Sequence, residues 1–382
     1  MSNKFEAMLE SFSEARRNGF LKVKELKDAD QNIVGIFCTY TPKELIYAAG
    51  AHPVSLCSIS EETIPESEKH LPKNLCPLIK ASYGFALTDK CPYMYFSDLI
   101  VGETTCDGKK KMYEYLGEIK DTHVMQLPHT QNGALSKELW EKEIIVLKEK
   151  LEKKFNTVIT DEKIKEAIDS CNEERTILKE FYELGKLNPS VISGYELQKI
   201  LQGANYTFDK EVQNKQILDL IALYKEKYAN KEFLTNKKAP RILVTGCPLG
   251  GVVDKIIKPI EETGAVVVAY ENCGGAKNLE YNVDTDKDPI VALGEKYLNI
   301  PCSVMSPNTK RHDLLEKLIK EYEVDGVIEV VLQSCHTYAI ETHDIRRKLN
   351  NITIPFMSLE TDYSQSDLGQ VKTRIEAFVE MI

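Results

Sequence analysis

The chain has 382 residues, is 42% hydrophobic and 28% charged, and carries a formal net charge of −10. Those proportions are ordinary for a soluble globular protein of two or three domains, and the acidic balance argues against a general nucleic-acid binder, which carries a basic patch or stripe. No run of about 18 apolar residues occurs and no signal-peptide core opens the chain, so the sequence reads as a cytoplasmic protein with no membrane span, whose thiols stay reduced.

Residues 1–30 read as helical and polar-faced. From 31 to 130 strand and helix alternate, with strands expected at 33–38, 52–57, 93–102 and 123–127. This alternation implies βαβ units and a parallel sheet. Residues 135–235 change character: LSKELWEKEIIVLKEKLEKKF has the 3.6-residue period, with Leu139, Ile144, Leu147 and Leu151 on one face, and a second long helix follows Thr160. Alternation resumes at Ala239, with strands expected at 241–245, 265–270, 326–332 and 354–359 and a closing helix. The expected architecture is α/β: two similar open parallel-sheet lobes, flavodoxin- or Rossmann-like, at 1–134 and 237–382, with a helical domain at 135–236 between them.

Most of the ten cysteines follow one local pattern: a β-rich run ends, a Cys appears, and a helix-like run begins. Cys38, Cys106, Cys247 and Cys335 stand this way, and Cys57 and Cys273 close two further strands. Cys76 and Cys302 each adjoin a proline, which makes the two α/β regions look like a divergent duplication whose cysteine-bearing strand ends share one cleft. Ligands of open α/β sheets bind beyond the carboxyl ends of the strands, helix N-termini favour thiolates, and soft thiolates suit an Fe–S cluster or zinc. The close CxxC pairs of structural zinc sites are absent, so a cluster built from distant loops is the better expectation. Cys171 sits inside a long helix and reads as a buried structural residue, with Cys57 and Cys91 intermediate. Gly246 and Gly250 in GCPLGG, and Gly274 in ENCGGAK, would let backbone approach a cofactor closely, but the GK[ST] ending of a P-loop is missing. The run Lys109–Lys111 reads as a solvated helix face.

The motifs GIFCTYTPKELIYAAGAHPVSLC, LPKNLCPLIKASYGF, SDLIVGETTCDGKKKMYEYL, ENCGGAK and LQSCHTYAIE resemble the 2-hydroxyacyl-CoA dehydratase superfamily of oxygen-sensitive Fe–S proteins. Cys247 in GCPLGG makes the chain look more like its double-cubane branch, whose members form homodimers and hold an [8Fe-9S] cluster on six cysteines per chain. The resemblance implies that Cys76, Cys106 and Cys335 match the ligands of the single dehydratase cluster, that Cys38, Cys247 and Cys273 complete a second cubane, and that Cys302 and then Cys57 are reserves. It further implies reduction of a small substrate at low potential, with electrons injected by a separate ATP-hydrolysing [4Fe-4S] activator protein. His336 and Glu360, the latter read as lying in a turn after the last strand, are the candidate proton donors. Two alternatives stay open: a dehydratase, or a subunit of one, with one [4Fe-4S] cluster acting on a CoA thioester, and a non-catalytic electron-storage protein.

Overall fold

A computed structural model describes residues 2–382, with side chains from Phe5 onward. Eight strands form two four-stranded parallel sheets. β1 (Asn32–Ile36), β2 (Ala51–Ser55), β3 (Leu99–Glu103) and β4 (Thr122–Met125) pair in the order β2-β1-β3-β4. β5 (Arg241–Gly246), β6 (Val266–Glu271), β7 (Gly326–Leu332) and β8 (Phe356–Thr361) pair in the order β6-β5-β7-β8. The central strands are β-branched and apolar, NIVGI, LIVGE, RILVTG and GVIEVVL, and β3, β5 and β7 are buried along their whole length. Continuous apolar runs of this kind belong to parallel strands covered on both faces.

The chain divides into two compact units. The first, Arg16–Thr176 with Tyr281–Asn308, carries the β1–β4 sheet; the second, the residues up to Ala15 with Ile177–Glu280 and Thr309–Ile382, carries the β5–β8 sheet. The boundary runs through the helix Asp161–Tyr182, so the helices of 135–236 are divided between the two units and form no third one. The leading helical region is two helices, Ser2–Ser13 and Ala15–Asp28.

Three local expectations are corrected. The run 93–102 is not one strand: Pro92 opens a short helix, Pro92–Phe96, and β3 starts only at Leu99. Proline at a first helical position has its φ already set and lacks only an N–H that would go unbonded, and this outweighs the strand propensity of the aromatic run. Asp98 then fixes the entry to β3, accepting the Ile33 N–H and the Lys27 ammonium at 2.8 Å each. In the helix Ala134–Phe155 the buried stripe is Trp140, Ile144, Leu147 and Leu151, while Leu139 turns outward at 38% exposure. Spacings of four, three and four keep a stripe on one face, and Leu139 lies one residue, about 100°, off it. Glu360 lies inside β8, opposite Val331, not in a turn beyond it.

The first unit's core joins that helix to the helix Pro289–Leu298 through Ile144, Leu147, Leu293 and Tyr297. Each such side chain contributes roughly 1.5–3 kcal/mol by leaving water. Charge is buried beside it. Glu44 accepts from Arg175 and from the Tyr297 hydroxyl, both at 2.8 Å. Lys296, 5% exposed, finds no hydrogen-bond acceptor for its ammonium among the described residues. Burial, reinforced by the Arg175 charge, pushes its pKa down to about 7.

A lysine depressed in this way binds fewer protons folded than unfolded between the two pKa values. Its penalty is therefore full below pH 7 and fades as pH rises towards the unfolded value. Lys296→Met should accordingly raise stability by a few kcal/mol at about pH 6 and by little near pH 10, an order of magnitude taken from the pKa displacement. Urea denaturation of both proteins at the two pH values checks this; an equal gain at both would show that lost charge is not the cause.

Candidate metal centre

In each sheet the first strand lies inside, flanked by the second and the third. The chain leaves it in one direction for β2 or β6 and then crosses to the other side for β3 or β7. Connections leaving the two central strands in opposite directions open a crevice at their carboxyl ends, the place where doubly wound sheets bind ligands. Cysteines sit at these ends: Cys38 follows β1 and Cys106 follows β3, and Cys247 follows β5 and Cys335 follows β7. The neighbouring strand adds Cys57 after β2 and Cys273 after β6. All ten cysteines are thiols; Cys76, Cys171, Cys247 and Cys302 are buried and the other six half-buried.

In the first unit, Cys106 is the N-cap of the helix Asp107–Leu116, and its sulfur accepts the Lys109 N–H at 3.5 Å. Cys76 caps the helix Pro77–Leu87. The two helix starts are close: a Cβ on Gly108 would fall 2.7 Å from Ile79 and 3.1 Å from Leu75. The Phe37 carbonyl, one residue before Cys38, ties the strand ends together. It accepts from the Cys57 thiol at 3.0 Å and from the Lys109 ammonium at 3.2 Å. Lys109 is half-buried, whereas Lys110 and Lys111 are exposed, so the expectation of a solvated lysine run is corrected at its first member. Burial opposes its charge, but Tyr113 and the sulfurs of Cys57, Cys38 and Cys106 hold its pKa well above the usual lysine range. Beneath them Glu103, the last residue of β3, accepts the Thr41 hydroxyl through one oxygen, while the other finds no hydrogen-bond partner among the described residues. Burial raises its pKa to about 7 against the opposing pull of Thr41 and Lys109.

In the second unit the Cys247 sulfur accepts the Leu332 N–H at 3.3 Å, and the Cys247 N–H donates to the Val330 carbonyl at 2.8 Å. Cys335 is the N-cap of the helix His336–Asn351, which gives its sulfur the favourable end of a long helix. A buried guanidinium braces the strands below. Arg311 donates to Thr245 of β5 at 2.9 Å and pairs with Glu271 of β6 at 3.3 Å, Glu329 of β7 at 3.5 Å and Glu341. Lys277 adds a second cation 3.0 Å from Glu271 and donates to the Tyr338 hydroxyl at 2.9 Å. Here the buried carboxylates meet cations at ion-pair distance; among the described residues Glu103 of the first unit forms no ion pair and feels the charge of Lys109 from farther off.

Of the residues expected from the sequence, Cys247, Cys273, Cys335, His336, Glu360 and Gly246 all lie at the carboxyl edge of the second sheet, with His336 and Glu360 exposed. Gly246 is required by its neighbouring strand: its φ is +106°, and a Cβ there would stand 2.2 Å from the Val330 carbonyl oxygen. Gly250 follows in the turn before the helix Val253–Glu262. At Gly274 a Cβ would come no nearer than 3.3 Å to Gln198, so the tight position of that loop is Gly275, 2.3 Å from the Tyr270 carbonyl. Cys302 lies in the first unit's apolar core cluster, against which Ile36 and Cys38 at the end of β1 also pack. Cys171 is buried on the inner stripe of the helix Asp161–Tyr182, and burial, followed by the Glu44 charge, pushes its pKa up to about 12. Sequence reasoning missed Lys109, Glu103 and Arg311. The one available signal was the spacing of Lys109, a single helical turn after the cap Cys106.

Thiols at strand ends and helix caps, with the Cys106 and Cys247 sulfurs accepting backbone N–H groups, fit an Fe–S cluster in kind. Among the described residues no three His, Cys, Asp or Glu side chains gather closely enough for a single metal ion. A cubane asks less, since it spreads its thiolates over separate irons. No helix among the described residues is long and apolar enough to cross a membrane.

The family model for the 2-hydroxyglutaryl-CoA dehydratase D-component matches residues 38–382. YjiM of Escherichia coli (strain K12), whose name marks it as a candidate dehydratase subunit, is 50% identical over 377 residues, 98% of each chain. The (R)-phenyllactyl-CoA dehydratase beta subunit of Clostridium sporogenes is 24% identical over 367 residues, 94% of each chain. One of the benzoyl-CoA reductase subunits of Thauera aromatica is 20% identical over 374 residues, 95% of this chain and 94% of that one.

Two tests follow from this geometry. Gly246→Ala should lower stability by more than about 2 kcal/mol, because strain at positive φ adds to a backbone clash; an unchanged denaturation midpoint would contradict the close approach to β7. Glu103 binds more protons folded than unfolded, so the stability of the cluster-free protein should fall as pH rises from about 4.5 to about 7. Glu103→Gln should remove up to about 3 kcal/mol of that fall, the neutral amide carrying no charge to bury. Denaturant titrations at pH 5 and 8 read the difference, and parallel pH profiles for the two proteins would count against a raised Glu103.

Proposed function

Because the chain belongs to the 2-hydroxyglutaryl-CoA dehydratase D-component family, we infer that it is a low-potential iron–sulfur reductase that holds a double-cubane [8Fe-9S] cluster. The observation that carries this reading is the repeated pattern: three strands of each sheet are each followed within three residues by a cysteine. Six such thiols, with Cys76 in addition, exceed what one [4Fe-4S] cluster uses. Cys38, Cys76 and Cys106 of the first unit and Cys247, Cys273 and Cys335 of the second would hold the cluster. When bound, it supplies stored electrons and a labile position for a small reducible substrate.

The remaining chemistry falls to the chain's own groups. Helix N-termini at Cys76, Cys106 and Cys335 favour the thiolate form. His336 and Glu360, exposed at the edge of the second sheet, are the groups able to hold a proton for the substrate. The sequence has no P-loop, so ATP would be hydrolysed by a separate [4Fe-4S] activator protein that delivers the electrons. A cytoplasmic homodimer completes the proposal, closed two-fold dimers being the commonest soluble oligomers.

The names of the relatives favour a second reading. The Clostridium sporogenes protein is a beta subunit of an acyl-CoA dehydratase, as is the (R)-2-hydroxyglutaryl-CoA dehydratase subunit of Acidaminococcus fermentans, 23% identical over 389 residues. On that reading this chain is one subunit of a 2-hydroxyacyl-CoA dehydratase with a single [4Fe-4S] cluster. Iron and acid-labile sulfide counts on anaerobically purified protein separate the two: about eight irons per chain for the double cubane against about four for the dehydratase. Cys106→Ala and Cys335→Ala should each strip iron, and Cys171→Ala should leave the content unchanged. Stoichiometric zinc without iron would overturn both readings.

A further inference from the structure

One cation in the first unit is placed as the architecture of the strand ends alone does not require. Lys109 opens a run of three lysines, and its two successors lie in water. Its own side chain turns inward, passes 5.9 Å from the Phe37 ring centre and ends on the Phe37 carbonyl. The Cys57 thiol already donates to that carbonyl, so the oxygen does not need a lysine to be satisfied. Taking an ammonium group out of water is unfavourable unless opposite charge offsets it. Tyr113 cannot supply that charge, because burial holds its phenol neutral, well above the usual tyrosine range. Glu103 supplies it only in part, being about half protonated near neutrality. What remains beside it is sulfur: the Cys106 Sγ accepts the Lys109 N–H at 3.5 Å, Cys57 shares the Phe37 carbonyl, and Cys38 is the residue after that carbonyl, so Cys38 and Cys106, ionised as cofactor ligands, would supply the charge.

We propose that Lys109 is a built-in counter-ion of the thiolate site of the first unit: its ammonium group, fixed on the Phe37 carbonyl beside Cys38, Cys57 and Cys106, offsets the negative charge gathered there and sets how readily a cofactor held through Cys38 and Cys106 accepts an electron. This rests on the reading that the strand-end cysteines hold an Fe–S cofactor. Adding an electron adds negative charge, and a fixed cation in a poorly screened site stabilises the charged product more than the starting state. Lys109 acts on the cofactor through space and through the thiols, as a positioning charge. It forms and breaks no bond.

The test compares wild-type protein with Lys109→Arg and Lys109→Met, the first keeping the charge and the second keeping most of the volume without it. In redox titrations of the anaerobically purified full chain, followed by electron paramagnetic resonance, Lys109→Met should shift the midpoint potential downwards by a tenfold change in the reduction equilibrium or more, about 59 mV for one electron. Lys109→Arg should stay near wild type. A Lys109→Met protein with full iron content and an unshifted potential overturns the proposal. A second readout uses cluster-free protein and stands whether or not iron is found in the wild type. Cys38, Cys57 and Cys106 are labelled by an anionic aromatic disulfide and by a neutral one of similar size. The ratio of the anionic to the neutral rate should drop several-fold in Lys109→Met and be kept in Lys109→Arg, and equal ratios in all three proteins overturn the proposal. Absence of iron from the wild type would sink the reductase reading, while the labelling ratio would still decide the role of Lys109.

Discussion

Placing the first strand of each unit between its second and third is the constraint on which the rest depends. Parallel strands need crossovers, and a chain that must leave β1 for β2 and then return past it to β3 opens a gap at the carboxyl ends of β1 and β3. Backbone N–H groups of the following helices point into that gap. A cysteine placed there gains a helix terminus, as Cys106 and Cys335 do, without any dedicated loop. The same order in β6-β5-β7-β8 repeats the arrangement, and sharing of the strand-end cysteine by both sheets follows from a shared topology. Close backbone approach is part of the same geometry: Gly246 exists because the β5 end must pass the Val330 carbonyl of β7.

Charge is handled differently on the two copies. Below the thiols of the second unit, Arg311 and Lys277 answer Glu271, Glu329 and Glu341, so most of the buried carboxylate there is compensated by cations. Burial still raises the Glu329 pKa against the Arg311 charge, but a carboxylate with a bonded guanidinium is far less exposed to the full cost of desolvation. Among the described residues no arginine pairs with Glu103 of the first unit. Its Glu103 relies on the Thr41 hydroxyl and a distant lysine, and burial dominates. One copy is braced by ion pairs; the other keeps a partly protonated carboxyl and a lysine bonded to the Phe37 carbonyl.

Much of this was visible in the sequence, and the parts that were not share a physical reason. β7 falls on 326–332 as expected, because GVIEVVL between Asp325 and the Gln333–Cys335 turn has no competing reading. The strand-end cysteines were legible because each needs only a local cue, an apolar run that stops at a thiol. The start of β3 was not, since Tyr93–Phe96 has the composition of a strand and only Pro92 argues for a helix. Strand order is not written in any short window, nor is a pairing such as Thr41 with Glu103. Lys109 was hidden by its neighbours: three consecutive lysines look solvated, and only the helix phase set by Cys106 turns the first of them inward.

Cysteine number alone does not decide which thiols are chemically available, and local bonding ranks them. Cys171 is held as a neutral thiol by burial. Cys302 is packed among apolar side chains of the first unit, and burial pushes up the pKa of Cys91, the N-cap of the short helix Pro92–Phe96. Cys57 stands at a strand end, but its S–H is engaged by the Phe37 carbonyl, so using it as a ligand would mean breaking that bond and leaving the oxygen to Lys109 alone. Cys76 caps a helix whose first residue is Pro77, which has no N–H to satisfy, and the packing of Gly108 against Leu75 and Ile79 brings that cap beside the Cys106 helix. Position beside the Cys106 helix therefore suits Cys76 as the third thiol of the first unit, and the S–H···O bond leaves Cys57 as the residue that, with Lys109, holds the ends of β1, β2 and β3 together on a single carbonyl.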